Sequence, residues 1–192
     1  MRGFGVGVAF DMRGRQGTMG PMQETHLDVL ISGVGAVAEL VAADPDSDEH
    51  RAALGAWESF EARLLAAPRA MPLAELVRRF RLDSFETKVV VLALASHVEP
   101  RMAALVQEKG RHVFSRVITV RLAMERFCDH PAERVASRRA FLASGRLVRH
   151  RILVLGRSEV GSPGGLLSRR IELSTPTLRY LLEESELSES VD

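Results

Sequence analysis

The feature that most constrains this 192-residue chain is the stretch 81–101, RLDSFETKVVVLALASHVEPR. Asp83 and Glu86 are three residues apart at its start, the spacing of a capping box that satisfies two free backbone N–H groups of a helix. A long apolar run follows, and Pro100 then suits the first turn of a second helix, where its missing N–H is not needed. A first helix that is apolar on nearly every side is expected at the centre of a helical domain. The two expected helices span about 84–98 and 100–109.

Composition defines the broad class of protein. Hydrophobic residues make up 46% and charged residues 27% of the chain, which is typical of a globular protein. Cys128 is the only cysteine, which excludes an intramolecular disulfide and a C-x-x-C metal motif. The apolar stretch 4–10 is too short for a signal peptide, and the stretch 27–43 is too short to span a bilayer. We therefore expect a cytoplasmic protein that makes no membrane contact.

The net charge of +1 hides a strong asymmetry along the chain. Residues 1–100 contain 10 Lys/Arg and 14 Asp/Glu, whereas residues 101–180 contain 16 and 6, a net charge of +10. The last twelve residues contain five carboxylates and no Lys or Arg. A basic block of this size can attract nucleic acid or an acidic partner, or its arginines can pair with the acidic parts of the same chain.

Apolar spacing divides the chain into four parts. Residues 1–21 contain six glycines and are expected to be a disordered leader. An N-terminal helical segment follows at 22–70, where Trp57, Phe60 and Leu64 share one helix face and are expected to pack inward. A winged-helix-like domain is expected at 71–183. An acidic disordered tail is expected at 184–192.

The winged-helix expectation rests on the order of elements after residue 119. Thr119 can cap a helix over 120–128, and Pro131 can start another helix that Gly145 closes, with Ala136, Ala140 and Phe141 facing inward. Two strands then follow, joined by a loop rich in Gly, Ser and Pro, and Thr175-Pro176 begins a last helix ending near Glu184. The expected fold class is thus α+β, mainly α with one small β-hairpin. The expected strands are 147–155 and 166–173, and the loop is 156–165.

The familiar catalytic and cofactor motifs are incomplete in this sequence. Gly156 and Gly161 have the spacing of a P-loop, but Ser162 and Pro163 occupy the places of its Lys and Ser/Thr, so phosphate and Mg²⁺ would lack their ligands. Asp129, His130 and Glu133 more simply form a helix start than a metal corner. No serine lies in a G-x-S-x-G motif, and Cys128 lies in a helical pattern typical of a small core residue. We therefore predict no catalytic, cofactor-binding or metal-binding residue in this chain.

Arginines are the candidate contact residues, for a protein partner or for nucleic acid. The first group flanks the helix at 120–128 and the helix after it, and the second group lies on the two expected strands, with Arg149 and Arg151 alternating on one of them. Aromatic residues that could stack on bases are not interleaved with these arginines, which weakens the nucleic-acid interpretation. The candidates are Arg111, Arg116, Arg121, Arg138, Arg139, Arg149, Arg151, Arg169 and Arg170.

Part of the chain also resembles a known family. The residues Leu82-Asp83-Ser84-Phe85-Glu86, the run VVVLALA at 89–95, and Glu99-Pro100-Arg101 are similar to the pattern L-S-x-F-E … L-x-L-A-x-E-L-D-P-R-Y. That pattern lies in the N-terminal region of bacterial AAA+ ATPases, several of them encoded beside contractile injection systems. The resemblance covers about 73–182, and Met102 stands where the pattern has an aromatic residue.

The resemblance implies a variant winged-helix domain that acts without catalysis as the recognition or regulatory domain of an AAA+ ATPase. Its expected partner is a protein or the AAA+ module itself. Two alternatives stay open: a DNA-binding winged-helix regulator, and a fragment of an ATP-hydrolysing motor whose Walker motifs lie outside this chain. ATP and Mg²⁺ would enter only with such a motor, since no residue here matches its motifs.

Overall fold

The computed structural model describes residues 25–68, 71–109, 117–158 and 165–183. The expected leader at 1–21, the candidates Arg111 and Arg116, most of the loop at 156–165 and the tail at 184–192 lie outside those residues. The helices are α1 His26–Ala42, α2 Asp48–Ala66, α3 Pro72–Phe80, α4 Ser84–Val98, α5 Pro100–Lys109, α6 Val120–Phe127, α7 Pro131–Ser137, α8 Arg146–Arg149 and α9 Thr175–Leu181. The strands are β1 Leu153–Ser158 and β2 Arg169–Leu173, with 3₁₀ turns at Arg138–Phe141 and Leu166–Ser168.

Helix α4 is the centre of the fold, as its sequence predicts. Asp83 and Glu86 form the capping box: the Asp83 carboxylate accepts from the Glu86 N–H at 2.9 Å, and the Glu86 carboxylate accepts from the Asp83 N–H at 3.1 Å. Every residue from Val89 to Ala95 is at most 1% exposed. Among the described helices, none alone is long and apolar enough to cross a membrane. Together α4 and α5 meet those criteria, but the pair bends by 119°.

Helices α1 and α2 pack together, and α1 also contacts α4. Trp57, Phe60 and Leu64 are each 1% exposed, which confirms that this face of α2 packs inward. The indole N–H of Trp57 donates to the Ser84 hydroxyl at 3.2 Å, which satisfies a polar group at the edge of the core. One continuous apolar core therefore joins α1 and α2 to α4 and to the sheet.

A small antiparallel sheet follows the helices. Strand β1 pairs with β2 in the register Leu153↔Leu173, Val154↔Glu172 and Leu155↔Ile171. On the far side of β2, Thr119 forms an isolated bridge with Arg170, and the Ile171 N–H donates to the Ile118 carbonyl at 2.9 Å. The segment before α6 thus acts as a short third strand. The fold is mainly helical with one antiparallel hairpin, which confirms the predicted fold class.

The segment expected as a strand at 147–155 begins with a helical turn, so that prediction is wrong at its start. Residues 146–149 form the single turn α8, Arg151 adopts a left-handed conformation with φ 53°, and the Ile152 N–H closes the turn on the Leu147 carbonyl at 2.9 Å. Short apolar runs do not distinguish a buried helical turn from a strand. Arg149 and Arg151 consequently do not alternate on one strand.

The helix expected from Pro131 to Gly145 is also shorter than predicted. Helix α7 ends at Ser137, a 3₁₀ turn carries Ala140 and Phe141 into the core as expected, and Ala136 is exposed rather than inward-facing. Gly145 starts α8 instead of closing the earlier helix. A Cβ at this position would collide with the carbonyl oxygens of Arg139 and Ala140, so the close approach of backbone requires glycine here.

Arg146, the first residue of α8, connects the wing region, which comprises α8 and the β1–β2 hairpin, to the start of α4. Its guanidinium lies 2.8 Å from the Glu86 carboxylate and 3.0 Å from the Asp83 carboxylate, and it also donates to the Arg81 carbonyl. The Glu86 side chain is 4% exposed. Burial raises the pKa of Glu86, and Arg146 partly opposes that rise. A buried carboxylate of this kind is tolerated because it is paired and hydrogen-bonded.

Candidate functional site

The seven candidate arginines within the described residues do not form one site. Arg121 and Arg138 lie together on the side of α6 and α7, whereas Arg151 and Arg169 lie together beside β1. Arg139, Arg149 and Arg170 are exposed outside both groups. The structure therefore divides the predicted basic surface into two grooves and three separate side chains.

The first groove, called here the α7 groove, has a volume of about 220 Å³. Its apolar lining consists of Met124, Val135 and Leu167, and its basic lining consists of Arg121, Arg134 and Arg138. Glu125 is the carboxylate among its described lining residues. None of the seven residues of α7 is buried, and Val135 is 72% exposed. The helix thus contributes no buried side chain to the core, and every residue from Pro131 to Ala136 is exposed.

Two intramolecular contacts hold the start of α7. The Glu133 carboxylate accepts from the Asp129 N–H at 3.0 Å, and the Arg134 guanidinium donates to the Cys128 carbonyl at 3.2 Å. Asp129 and Glu133 thus serve the start of a helix, as expected. Neither the Arg121 nor the Arg138 guanidinium has a hydrogen bond or ion pair within the described part of the chain. Their charges are available to a partner.

The second groove, called here the β1 groove, runs between β1 and the start of α9. Its volume is about 610 Å³, within the range of ligand-binding clefts. Its walls include the apolar side chains of Phe141, Val148 and Val154, and its basic residues are Arg151 and Arg169. Val154 is 49% exposed. This groove is larger and more open to an extended ligand than the α7 groove.

Two candidates on β2 have partners within the protein. Arg169 donates to the Leu155 carbonyl at 2.7 Å and to the Gly156 carbonyl at 3.2 Å, where the ladder is interrupted by a register shift. Arg170 lies 3.3 Å from the Glu172 carboxylate, and both side chains are about half exposed. Arg169 stabilises the hairpin, while an exposed pair such as Arg170–Glu172 contributes little to stability.

Sequence reasoning missed three residues at these grooves. Arg134 and Val135 line the α7 groove, and His150 lines the β1 groove, where its ring packs against Phe80 with centroids 4.9 Å apart and planes tilted by 42°. The run PAERVAS gives a short helix without an apolar face, and that pattern was available as a signal for an exposed helix. The position of His150 depends on the helical turn α8. It could not be foreseen because residues 147–155 were predicted to form a strand.

Cys128 is a buried residue beside the α7 groove. It is 1% exposed, and its sulfur contacts the Ser137 hydroxyl at 3.5 Å. Burial raises the pKa of its thiol, which lowers the thiolate fraction needed for reaction. This confirms the prediction of a core cysteine.

The helical bundle, the short strand at 118–119, the exposed α7 and the β1–β2 ribbon define a winged helix domain. A family model described as "Winged helix domain, variant" matches residues 12–192, and this chain belongs to that family. No curated protein and no solved structure matches the chain. The family description is silent on AAA+ ATPases, so the association implied by residues 81–101 is a proposal.

Proposed function

We propose that this chain is a non-catalytic recognition domain that binds a protein partner through the α7 groove. The observation that carries the proposal is the exposure of α7: none of its residues is buried, and Val135 is 72% exposed beside an apolar floor of Met124 and Leu167. Protein interfaces are enriched in Met and Arg and surround an apolar centre with polar residues. The α7 groove has that composition on a small scale.

The kind of partner is inferred from the resemblance of residues 81–101 to the N-terminal region of bacterial AAA+ ATPases. We infer that the partner is an AAA+ ATPase, either continuous with this domain or encoded beside it, and that this domain regulates it or recruits its substrate. The support is the resemblance over about 73–182, whose quoted pattern lies in α4 and the start of α5, and the middle of α4 is buried. The similarity therefore bears on the shared scaffold, while α7 supplies the contact surface.

The experiment measures binding between this chain and an AAA+ ATPase encoded in the same gene neighbourhood, by biolayer interferometry. Val135→Glu is expected to weaken binding by about tenfold or more, since it places a charge at the apolar centre of the interface. Ile31→Glu is the matched control, because Ile31 is 60% exposed on α1, away from the groove. Equal binding by both variants, or no binding by the wild-type chain, would refute the proposal.

DNA binding is the second candidate function, favoured by a separate observation. Arg121 on α6 and Arg138 and Arg139 on the 3₁₀ turn after α7 have no carboxylate partner in the described residues, and unpaired arginines beside an exposed helix suit phosphate contacts. The test is binding of random duplex DNA at about 50 and about 200 mM salt. A DNA-binding domain loses affinity steeply with salt, and Arg138→Ala with Arg139→Ala reduces the slope. Absence of binding at the lower salt concentration excludes this function.

A further inference from the structure

We propose that the β1 groove is a second binding site, which takes an extended acidic peptide from a partner protein. The site lies beside the hairpin and not on α7, so it is independent of the proposed function. Three observations carry it: the charge of the groove, its apolar walls and the open edge of β1.

The charge of the groove is one-sided. Arg151 and Arg169 both line it, together with His150, and none of its described lining residues is a carboxylate. Arg151 is exposed on a left-handed turn with φ 53°, and it has no ion pair within the described ranges. Arg169 uses two of its five N–H donors on the carbonyls of β1, which leaves donors for a carboxylate. The groove is therefore complementary to an acidic ligand.

The backbone of β1 offers a peptide a directional contact. Leu155 is paired with Ile171, whose N–H points away from β1 to the Ile118 carbonyl at 2.9 Å. Leu155↔Ile171 is therefore a non-hydrogen-bonded pair, in which the N–H of each residue points away from the other strand, while the Leu155 carbonyl accepts from the Arg169 guanidinium at 2.7 Å. The Leu155 N–H thus faces the outer edge of β1, where no other strand pairs in the described part of the chain. An extended peptide can supply the missing carbonyl acceptor.

The apolar walls favour a peptide over nucleic acid. Phe141, Val148, Val154 and Pro176 line the groove between the two arginines. A nucleic-acid backbone would make only ionic contacts with the two arginines, because its sugars and phosphates do not pack against apolar walls as apolar side chains do. A peptide that alternates acidic and apolar residues matches both parts, since successive side chains of an extended chain point to opposite sides.

The experiment titrates the full chain, labelled with ¹⁵N, with a heptapeptide of alternating Glu and Val. A heptapeptide of alternating Lys and Val is the matched control ligand. We expect the acidic peptide to shift the amide signal of Leu155 and to slow its hydrogen exchange by about tenfold, because the N–H gains an acceptor. Arg151→Asn is expected to weaken binding by about tenfold. Asparagine tolerates the left-handed backbone at this position.

Arg149→Asn is the matched control variant, since Arg149 is exposed two residues away and does not line the groove. The proposal is overturned if Arg149→Asn weakens binding as much as Arg151→Asn, or if the Lys peptide binds equally. It is also overturned if Leu155 keeps its exchange rate with about 1 mM acidic peptide, a concentration that detects even weak binding.

Displacement of the peptide by short duplex DNA would overturn the proposal and indicate a nucleic-acid surface instead. Protection of Leu155 that rises with protein concentration alone would indicate a second copy of this chain. Val135→Glu is expected to leave peptide binding unchanged, which separates this outcome from that of the α7 groove.

Discussion

Replacing Arg146 with alanine tests how the wing region is fastened to the core. Arg146 contacts Glu86 at 2.8 Å and Asp83 at 3.0 Å, and donates to the carbonyl that ends α3 at Arg81. The Arg146→Ala variant keeps the Glu86 carboxylate buried but removes its counter-charge. Removing only the arginine of such a pair costs more than replacing both partners, because the buried Glu86 charge loses its counter-ion and keeps only the Asp83 N–H as a partner.

The loss of folding free energy in Arg146→Ala has an upper limit that depends on pH. The variant can relieve the unpaired charge by protonating Glu86, whose ordinary pKa is 4.5. Keeping that proton at pH 7 costs about 3.4 kcal/mol, at about 1.4 kcal/mol for each pH unit above the ordinary pKa. At pH 5 the same upper limit is about 0.7 kcal/mol. Arg146 is 37% exposed, so water screens part of its effect, and we expect a loss of about 2 kcal/mol at pH 7.

The sign of the pH dependence follows from the direction of the pKa shift. Burial raises the folded-state pKa of Glu86, and removing Arg146 raises it further. A carboxyl with a raised folded pKa loses stability as pH rises from its unfolded pKa through its folded pKa. The cost of Arg146→Ala is therefore expected to grow from pH 5 to pH 7.

The assay is urea unfolding at both pH values, followed by the fluorescence of the buried Trp57. Arg149→Ala is the control, because the Arg149 side chain is exposed and makes no hydrogen bond or ion pair within the described residues, and its effect is expected to stay within about 0.5 kcal/mol. A cost of Arg146→Ala that is the same at pH 5 and pH 7 would contradict the role assigned to the buried charge.

Three further predictions concern stability and reactivity. Gly145→Ala is expected to destabilise the fold by about 1–3 kcal/mol in urea unfolding, because its Cβ meets two carbonyl oxygens; Gly55→Ala, which has open space on α2, is the control and is expected to stabilise by about 0.5–1 kcal/mol. Tyr180, the only tyrosine, has its pKa raised to about 12 by burial and by its 2.6 Å hydrogen bond to Glu75. Its absorbance titration should lie well above pH 10 and move downward in Glu75→Gln, and a midpoint near 10 in the wild-type chain would contradict the contact. The buried thiol of Cys128 is expected to react with Ellman's reagent only as the protein unfolds, so rapid reaction in native buffer would show that the core around it opens.

Local signals in the sequence predicted much of the helical part. The spacing of Asp83 and Glu86 predicted the start of α4, and the i, i+3, i+7 spacing of Trp57, Phe60 and Leu64 predicted the buried face of α2. These signals depend on neighbours a few residues away, so they can be recognised before the chain is folded. The predicted bounds of α4 and α5 agree with the structure for the same reason.

The surface could not be predicted in the same way. Arg146 and Glu86 are 60 residues apart, and no local pattern indicates that they pair. The same is true of Arg169, whose role on the carbonyls of β1 appears only once the hairpin is formed. The sequence therefore predicts a basic region, but only the tertiary structure shows which arginine side chains make intramolecular contacts and which can contact a partner.

The position of α4 has a mechanical consequence for the whole protein. It contacts α1, α5, α6 and β2, and its middle has no surface facing water. Separation of α1 and α2 from the rest would expose that apolar surface at a large free-energy cost. We therefore expect the N-terminal helices and the hairpin to unfold together, so hydrogen exchange at α1 and at β2 should respond equally to a cavity made in α4.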